Sequence, residues 1–422
     1  METDGAIRET VTPSLYIAVR FLLHRKRAFF LSLSGVVFGV AIFICTQAQT
    51  AGFEKNFVDS NLGSNGALIL SSRIQQPVTG LPVSPKISSA TAAHDRYLEG
   101  IDDPAGIMRV SRQFADVAAC TPVLRGLLSA RAGFESATAH LFGIDPDTHA
   151  ITTNLRQQIS DGSFEDFRNN PRSVIVGSRL ADALGVKAGA TMQLLSPGGE
   201  YQRFSVAAVA RSGIGSEDAS RIYCHRKIAQ KLLLKPYSAS MIIYKLRNPE
   251  RAPALARRFE TLFQYQAESW QEREEGNLQL FRTLQISAAI TVSLIILLAG
   301  FGIFNVLTMT VLSKLKEIAI LRSMGYRRGD VSGIFLWQGA MIAIAGAIVG
   351  CGFGALMTLG VSRIPIKMRG LLYANHFLVS WEWQHYFWAT ILASVAVFIA
   401  SYVPARRAGL LSPVVTLRGS GG

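Results

Sequence analysis

The sequence has little charge and few cysteines for its length. Only 17% of its 422 residues are charged, whereas 49% are hydrophobic, and it contains four cysteines. Soluble domains carry about 25% charged residues, so the apolar excess indicates segments that lie in a lipid bilayer. The low cysteine count excludes a disulfide-rich scaffold, and glycine without a repeating period excludes a collagen-like chain. A purely soluble enzyme is excluded as well.

Motifs for common catalytic chemistry are also missing. The sequence has no GxxxxGK[ST] loop to hold nucleotide phosphates, so we expect no ATP hydrolysis by this chain itself. None of its seven histidines are spaced as the zinc ligands of a metalloprotease are. Ser178 follows a glycine but lacks the closing glycine of a nucleophile elbow, which predicts a helix cap instead. We therefore expect a non-catalytic chain that holds neither metal nor cofactor.

Four uncharged stretches account for the apolar excess. They comprise residues 28–53, 283–312, 331–362 and 383–404. Each is longer than the roughly 20 residues that a helix needs to cross a bilayer. The sequence thus predicts a membrane α-helical protein with four transmembrane helices, one before and three after a large segment, 54–282. That segment is predicted to be a mixed α/β extracytoplasmic domain inserted between spans one and two, and 363–382 a short loop.

The net charge of +14 is unevenly distributed. Segment 54–282 holds 27 basic and 23 acidic residues, a net +4, so the remaining +10 lies in the short flanks of the apolar stretches. Basic residues near membrane helices usually face the cytoplasm and anionic lipid. The charge therefore favours a membrane surface over nucleic acid as a partner.

The same basic residues predict the orientation. Thirteen lie on one side of a four-span chain: Arg8, Arg20, Arg25, Lys26, Arg27, Lys314, Lys316, Arg322, Arg327, Arg328, Arg406, Arg407 and Arg418. By the positive-inside rule, that side is cytoplasmic. The cytoplasmic parts would be 1–27, with an interfacial helix at Leu15 to His24, then 313–330 and 405–422. We expect a multi-pass protein of the inner membrane with both termini in the cytoplasm.

Small residues four positions apart predict close helix contacts in the membrane. Gly35 and Gly39 show this spacing in the first span, and Gly346, Gly350 and Gly354 show it in the third. Without side chains in the way, two helix backbones approach closely and gain van der Waals contact.

The outer domain shows alternating strands and helices. Ser173 to Val176 is predicted to be a buried strand, followed by a helix that ends at Gly185. A hairpin is predicted over 191–209, a helix from Pro249 to Trp270, and a loop from Ser71 to Ala93. Cys120 and Cys224 also lie in this domain, and the sequence leaves open whether they form a disulfide or remain two thiols.

Two motifs make the chain recognisable. Residues 316–325 read KEIAILRSMG, and the tail from Pro404 reads PARRA followed by Leu411, Pro413, Val414, Leu417 and Arg418. Both resemble the signatures of FtsX-like ABC transporter permeases, including those with a MacB-type outer domain. Val174 to Gly177 with the helix after it is similar to the outer-domain motif of that family. Trp270, Asn277 and Gly52 to Glu54 look like the lipoprotein-releasing branch.

The resemblance implies a permease subunit driven by ATP hydrolysis in a separate chain. Residues 313–330 would hold a coupling helix that contacts a cytoplasmic ABC ATPase, to which ATP and Mg²⁺ bind. The residues for this role are Lys314, Lys316, Glu317, Ile318, Leu321, Arg322 and Gly325. The partners implied are two ATPase subunits, a second permease in a homo- or heterodimer, membrane lipid and a periplasmic carrier or adaptor.

Extraction of lipoproteins or other lipidated amphiphiles from the inner membrane is the activity that the resemblance favours. One alternative is export of small amphiphiles or peptides with a periplasmic adaptor. Another is mechanotransmission to a periplasmic wall hydrolase without transport, although such permeases usually have a smaller outer domain.

Overall fold

The structure is a computed structural model that describes residues 17, 18, 20, 26–72, 100–235, 239–365 and 376–410. They form two compact units. The helical unit comprises the residues up to 54, those from 280 to 366 and those from 376 onward; the α/β unit comprises residues 55–279. Three predictions fall largely outside the described residues: the interfacial helix at Leu15 to His24, the loop from Ser71 to Ala93, and the tail motif from Leu411 to Arg418.

The described residues form thirteen α-helices and ten strands. The first half contains α1 (Lys26–Asn65), β1 (Leu68–Ser71), α2 (Pro104–Ser111), β2 (Val117–Ala132), β3 (Glu135–Ile144), α3 (Pro146–Thr152), β4 (Ile159–Gly162), α4 (Phe164–Asn169), β5 (Ser173–Gly177), α5 (Ser178–Leu184), β6 (Thr191–Leu195) and β7 (Tyr201–Ala210). The second contains α6 (Gly215–Asp218), β8 (Arg221–His225), α7 (Arg226–Leu233), β9 (Met241–Leu246), α8 (Ala252–Phe263), β10 (Gln266–Ser269), α9 (Trp270–Arg273), α10 (Glu275–Ser313), α11 (Leu315–Ser323), α12 (Arg328–Ser362) and α13 (Trp383–Leu410).

Four of the described helices are long and apolar enough to cross a membrane: α1, α10, α12 and α13. They correspond to the four predicted spans. With 40 residues, α1 is about 60 Å long, twice the roughly 30 Å of a bilayer core, and it continues well past Phe53. The uncharged stretch ends at Phe53, where the chain is predicted to leave the lipid, but the helical hydrogen bonds of the backbone continue to Asn65.

The α/β unit is built on one mixed sheet. Its ten described strands follow the order β10-β1-β9-β2-β3-β8-β5-β7-β4, and β6 pairs with both β2 and β7. The pairs β3/β8 and β5/β7 are parallel and the others antiparallel. Short helices pack on this sheet, which agrees with the mixed α/β architecture expected from the sequence. The antiparallel pairing of β6 with β7 confirms the predicted hairpin.

The region around β5 shows how local sequence determines this fold. All five residues of β5 are buried, as the run of branched side chains predicts. Gly185 ends α5 with φ of +65°, a backbone angle that glycine adopts without strain. The predicted cap at Ser178 is wrong, because Gly177 is the N-cap and Ser178 is already helical. Its hydroxyl instead donates a hydrogen bond to the Asp218 carboxylate, at 3.3 Å.

The single helix predicted from Pro249 to Trp270 is also wrong. A short 3₁₀ turn precedes α8, which ends at Phe263, and the chain then forms β10 before it becomes helical again at Trp270. Gln264 ends α8 with φ of +60° and so reverses the chain toward the sheet edge. Cys120 and Cys224 are both buried free thiols.

Candidate functional site

The predicted coupling segment forms a separate short helix, α11, directly after α10. Lys314 leaves helical geometry, with φ of −107° and ψ of 16°, and so separates the two helices. The end of the segment is marked by Gly325, whose φ of +99° would strain any residue with a Cβ. Lys314 and Gly325 thus lie at its two boundaries.

One face of α11 is held inside the helical unit. Ile318 and Ala319 are 1% and 3% exposed. Ile318 packs in a core that also contains Val311, Val331, Phe335, Ala405 and Ala408. Arg322 adds a polar link, because its Nη1 donates to the carbonyl oxygen of Gly409 at 2.8 Å. Ile318 and Arg322 therefore attach α11 to the ends of α12 and α13. Ile318 has no free surface for a partner.

The opposite face of α11 is exposed and combines charge with apolar side chains. Lys316 and Glu317 are exposed, and the side chains of Ile320 and Met324 are 52% and 73% accessible. The Glu317 carboxylate forms an ion pair with the Lys314 ammonium group. Ile320 and Met324 were not among the predicted coupling residues. Ile320 and Met324 lie three and seven positions after Glu317, so all three residues share one helical face. This spacing in the sequence could have identified them as coupling residues.

The predicted coupling residues therefore divide between two faces. Lys316 and Glu317 are on the outer face, Ile318 and Arg322 are on the inner face, and Leu321 is half-buried between them. The side chain of Lys314 is only 18% exposed. An apolar and charged outer face of this kind is suited to a protein partner, because burial contributes affinity and charge contributes orientation.

The glycines of the third predicted span receive a ridge of α1. A Cβ at Gly346 would lie 2.7 Å from Val36, one at Gly350 would lie 2.8 Å from Val40, and one at Gly354 would lie 3.1 Å from Ile44. Real Cβ atoms do not approach other atoms below 3.0 Å, so the first two positions require glycine unless the helices separate. Side chains four apart on α1 thus fill the space left by glycines four apart on α12.

The glycines of α1 lie against α10. A Cβ at Gly39 would lie 2.9 Å from the Ile296 side chain, and one at Gly35 would lie 3.2 Å from Ala299. The five predicted packing glycines therefore all lie at close helix contacts, with α1 packed between α10 and α12. A displacement of α1 would therefore also shift α10 and α12.

Two family profiles match different parts of the chain. The MacB-like periplasmic core domain matches residues 29–262, more than half of the chain. The C-terminal region of FtsX-like permeases matches residues 289–413, which include α11, α12 and α13.

Relatives of known name agree with these profiles. The lipoprotein-releasing system transmembrane protein LolC of Neisseria meningitidis is 26% identical, over 96% of this chain and 98% of its own length. The macrolide export ATP-binding/permease protein MacB of Acinetobacter baylyi is 23% identical over 93% of this chain, which spans 57% of that relative. The solved periplasmic region of MacB from Actinobacillus actinomycetemcomitans matches 52% of this chain and 96% of its own, with 11% identity and a TM-score of 0.33. The chain belongs to the FtsX-like ABC transporter permeases with a MacB-like periplasmic core domain.

Proposed function

We propose that this chain is the membrane subunit of an ATP-driven transporter, and that ATP with Mg²⁺ binds in a separate cytoplasmic ATPase chain. Hydrolysis there would move α1 and α10 and, through them, the periplasmic domain. The functional unit would contain two ATPase subunits and a second permease, with both termini of this chain in the cytoplasm.

The structure of α11 is the observation that supports this proposal. Its inner face is packed against α12 and α13, while its outer face presents Lys316, Glu317, Ile320 and Met324. Because the inner face of α11 is packed against α12 and α13, a partner that moves α11 would also move these two helices. The glycine contacts then connect α12 to α1 and α1 to α10.

Lipoproteins, or other lipidated amphiphiles of the inner membrane, are the substrates that we propose. The LolC relative supports this, because it aligns over nearly its entire length. Removal of a lipid anchor from a bilayer costs about 0.8 kcal/mol for each buried CH₂ group, so extraction of several acyl chains requires an input comparable to ATP hydrolysis. A periplasmic carrier would accept the extracted molecule.

Export of small amphiphiles with a periplasmic adaptor is the second candidate. The MacB relative, a macrolide export protein, favours it, and its identity to this chain is only slightly lower than that of LolC. A release assay separates the two. Proteoliposomes that contain the permease, its ATPase and a triacylated lipoprotein should release that lipoprotein to a soluble carrier when ATP is added. Vectorial movement of a macrolide without lipoprotein release would instead support export.

Charge reversal on the outer face of α11 tests coupling. We expect Glu317→Lys to insert normally and to lower stimulated ATPase activity and substrate release together, because a like charge at a buried contact costs on the order of 2 kcal/mol or more. The loss of its ion pair with Lys314, in which the Lys314 side chain is 18% and the Glu317 side chain 48% exposed, should cost on the order of 1 kcal/mol of stability. Glu200→Lys is the matched control, since Glu200 is exposed in the β6–β7 turn. Wild-type activity of Glu317→Lys would contradict the coupling role of α11.

A further inference from the structure

Three neighbouring strands of the α/β unit present positive and titratable groups on one face of the sheet. Arg125 on β2 lies opposite Phe142 on β3, and His140 on β3 lies opposite Arg221 on β8. Residues two apart on a strand share a face, so all four side chains belong to the same surface. The guanidinium carbons of Arg221 and Arg125 lie 4.9 Å and 5.8 Å from the centre of the Phe142 ring. Two cations thus flank one aromatic ring on a rigid sheet.

The two carboxylates beside this cluster each accept hydrogen bonds from residues of the α/β unit. Glu217 Oε1 accepts from Arg221 Nη2 at 2.6 Å and from Asn65 Nδ2 at 2.7 Å. Glu274 accepts from Asn61 and Asn277 with its two oxygens, each at 2.8 Å. Arg125, by contrast, forms no ion pair with any described residue, and burial together with nearby Arg221 lowers its pKa. The cluster therefore contains a cation whose charge is not balanced locally.

These groups line a cavity of about 310 Å³. Its ionisable lining consists of Arg125, Arg221, Arg273, Glu217, Glu274 and His140, a net charge of +1 when the histidine is neutral. The volume is at the lower end of the range for small-molecule sites, about 300–1,000 Å³. Among the lining residues, the buried atoms without a hydrogen-bond partner in the described part of the chain are two donors, Nε and Nη1 of Arg273, and one acceptor, Oε2 of Glu217. An unmet buried donor is unfavourable, so the Arg273 donors and the net positive charge favour a polar, negatively charged occupant on the arginine side of the cavity.

We propose that this cavity binds one phosphate group, held by Arg125 and Arg221 at the sheet face and by Arg273 at its margin. Guanidinium groups bind phosphate oxygens by charge-assisted, often bidentate hydrogen bonds. One negative charge neutralises the lining. Free phosphate and the phosphodiester of a lipid headgroup share this chemistry. The site is independent of the coupling role proposed for α11, and either assignment can fail without the other.

The histidine makes binding sensitive to pH. Burial and the nearby charges of Arg125 and Arg221 lower the pKa of His140. A bound anion offsets that repulsion and raises the same pKa, so protonation and binding favour each other. The other charged groups that line the cavity are Glu217, Glu274 and Arg273. A probe of fixed charge should therefore bind more tightly at pH 5.5 than at pH 7.5.

Thermal unfolding of the purified full chain in an uncharged detergent measures this binding, because a ligand of the folded state raises the unfolding temperature by mass action. The probes are inorganic phosphate and glycerophosphoglycerol, the soluble phosphodiester headgroup of phosphatidylglycerol, each titrated against chloride at constant ionic strength. We expect a saturable rise with wild type and about a tenfold weaker affinity for Arg125→Ala. Arg131→Ala is the matched control, an exposed arginine on the same strand outside the cavity.

Each outcome is decisive. A response to phosphate alone identifies a free ion as the source, and a response to the phosphodiester alone identifies a lipid headgroup. The phosphodiester keeps its charge between pH 5.5 and 7.5, so the loss of its pH dependence in His140→Gln tests the histidine separately. The proposal is overturned by the absence of a saturable rise with both probes, or by equal affinities of wild type and Arg125→Ala.

Discussion

Ile318 and Ile320 lie two positions apart on α11 and face in opposite directions. The first is 1% exposed and the second 52% exposed. Ile318 was predicted to contact the ATPase, but it is buried in the core of the helical unit and has no free surface for a partner. The sequence gave no reason to single out Ile320, since single apolar residues are common on protein surfaces and only a contiguous exposed patch indicates a binding surface.

Alanine at these two positions should therefore have different effects. We expect Ile318→Ala to destabilise the protein by about 2–5 kcal/mol, because it removes packed methyl groups from a buried site. Ile320→Ala should change stability by less than about 0.5 kcal/mol but weaken ATPase binding at least about fivefold. Thermal unfolding and a titration with the purified ATPase measure the two effects. Equal ATPase affinities for wild type and Ile320→Ala would show that the exposed face is not the contact surface.

His149 gives the α/β unit a defined response to acid. Its side chain is buried, and burial, with a contribution from Arg221, lowers its pKa to about 3. In the unfolded chain the pKa returns to about 6.5, so between pH 6.5 and 3 the unfolded state binds the extra proton. Stability from this residue is complete above pH 6.5 and is lost as the pH falls.

We expect this effect to be on the order of 3 kcal/mol at pH 4.5, two units below the unfolded pKa. The measurement is the difference in thermal unfolding temperature between pH 6.5 and pH 4.5 for wild type and for His149→Phe, which keeps a ring beside Tyr223. The variant should lose less stability on acidification. Identical pH responses would mean that proton uptake by His149 on unfolding does not contribute to the loss of stability in acid.

At the scale of elements, the helix contacts were more predictable than the helix ends. Glycines four apart predicted a close contact, and the structure shows which side chains meet them: Val36, Val40 and Ile44. The sequence did not predict that partner, because spacing describes one surface and not its complement. Nor did it predict that α1 continues to Asn65, whose side chain donates to the distant Glu217, or that α8 ends at Phe263, where Gln264 takes a φ of +60°.

A bulky residue at Gly350 should disrupt the contact between α12 and α1. A Cβ there would lie 2.8 Å from the Val40 side chain, so Gly350→Leu must separate the helices at a cost of about 1–3 kcal/mol or more. Gly352→Leu is a control on the same helix, because Gly352 is exposed with no atom within 4 Å of an added Cβ. We expect a lower unfolding temperature and a lower yield of assembled transporter for the first variant alone. If both variants behave alike, the glycine contact does not stabilise the helical unit.

For the whole molecule, composition and two motifs were sufficient to predict the class of protein. Four apolar stretches predicted the long helices, and KEIAILRSMG with PARRA predicted the family. The order of strands in the sheet could not be predicted from the sequence, because β1 pairs with β9 and β10, which are about 170 to 200 residues away. The cavity beside Phe142 could not be predicted from the sequence either, because its lining residues come from seven separate segments of the chain.

The orientation of the chain is the prediction that concerns the whole molecule. The thirteen basic residues predict that α11 is cytoplasmic and that the segment between α1 and α10 is periplasmic. Phe134 and Ser323 are exposed positions in these two parts, and Phe134 is fully exposed at the tip of the β2–β3 hairpin. In a background without the four native cysteines, Phe134→Cys should react with an impermeant maleimide added to intact spheroplasts. Ser323→Cys should react only after the membrane is permeabilised, because the bilayer then no longer separates it from the reagent. The opposite labelling pattern would place α11 outside the cytoplasm, where no ATPase could reach Glu317 or Ile320.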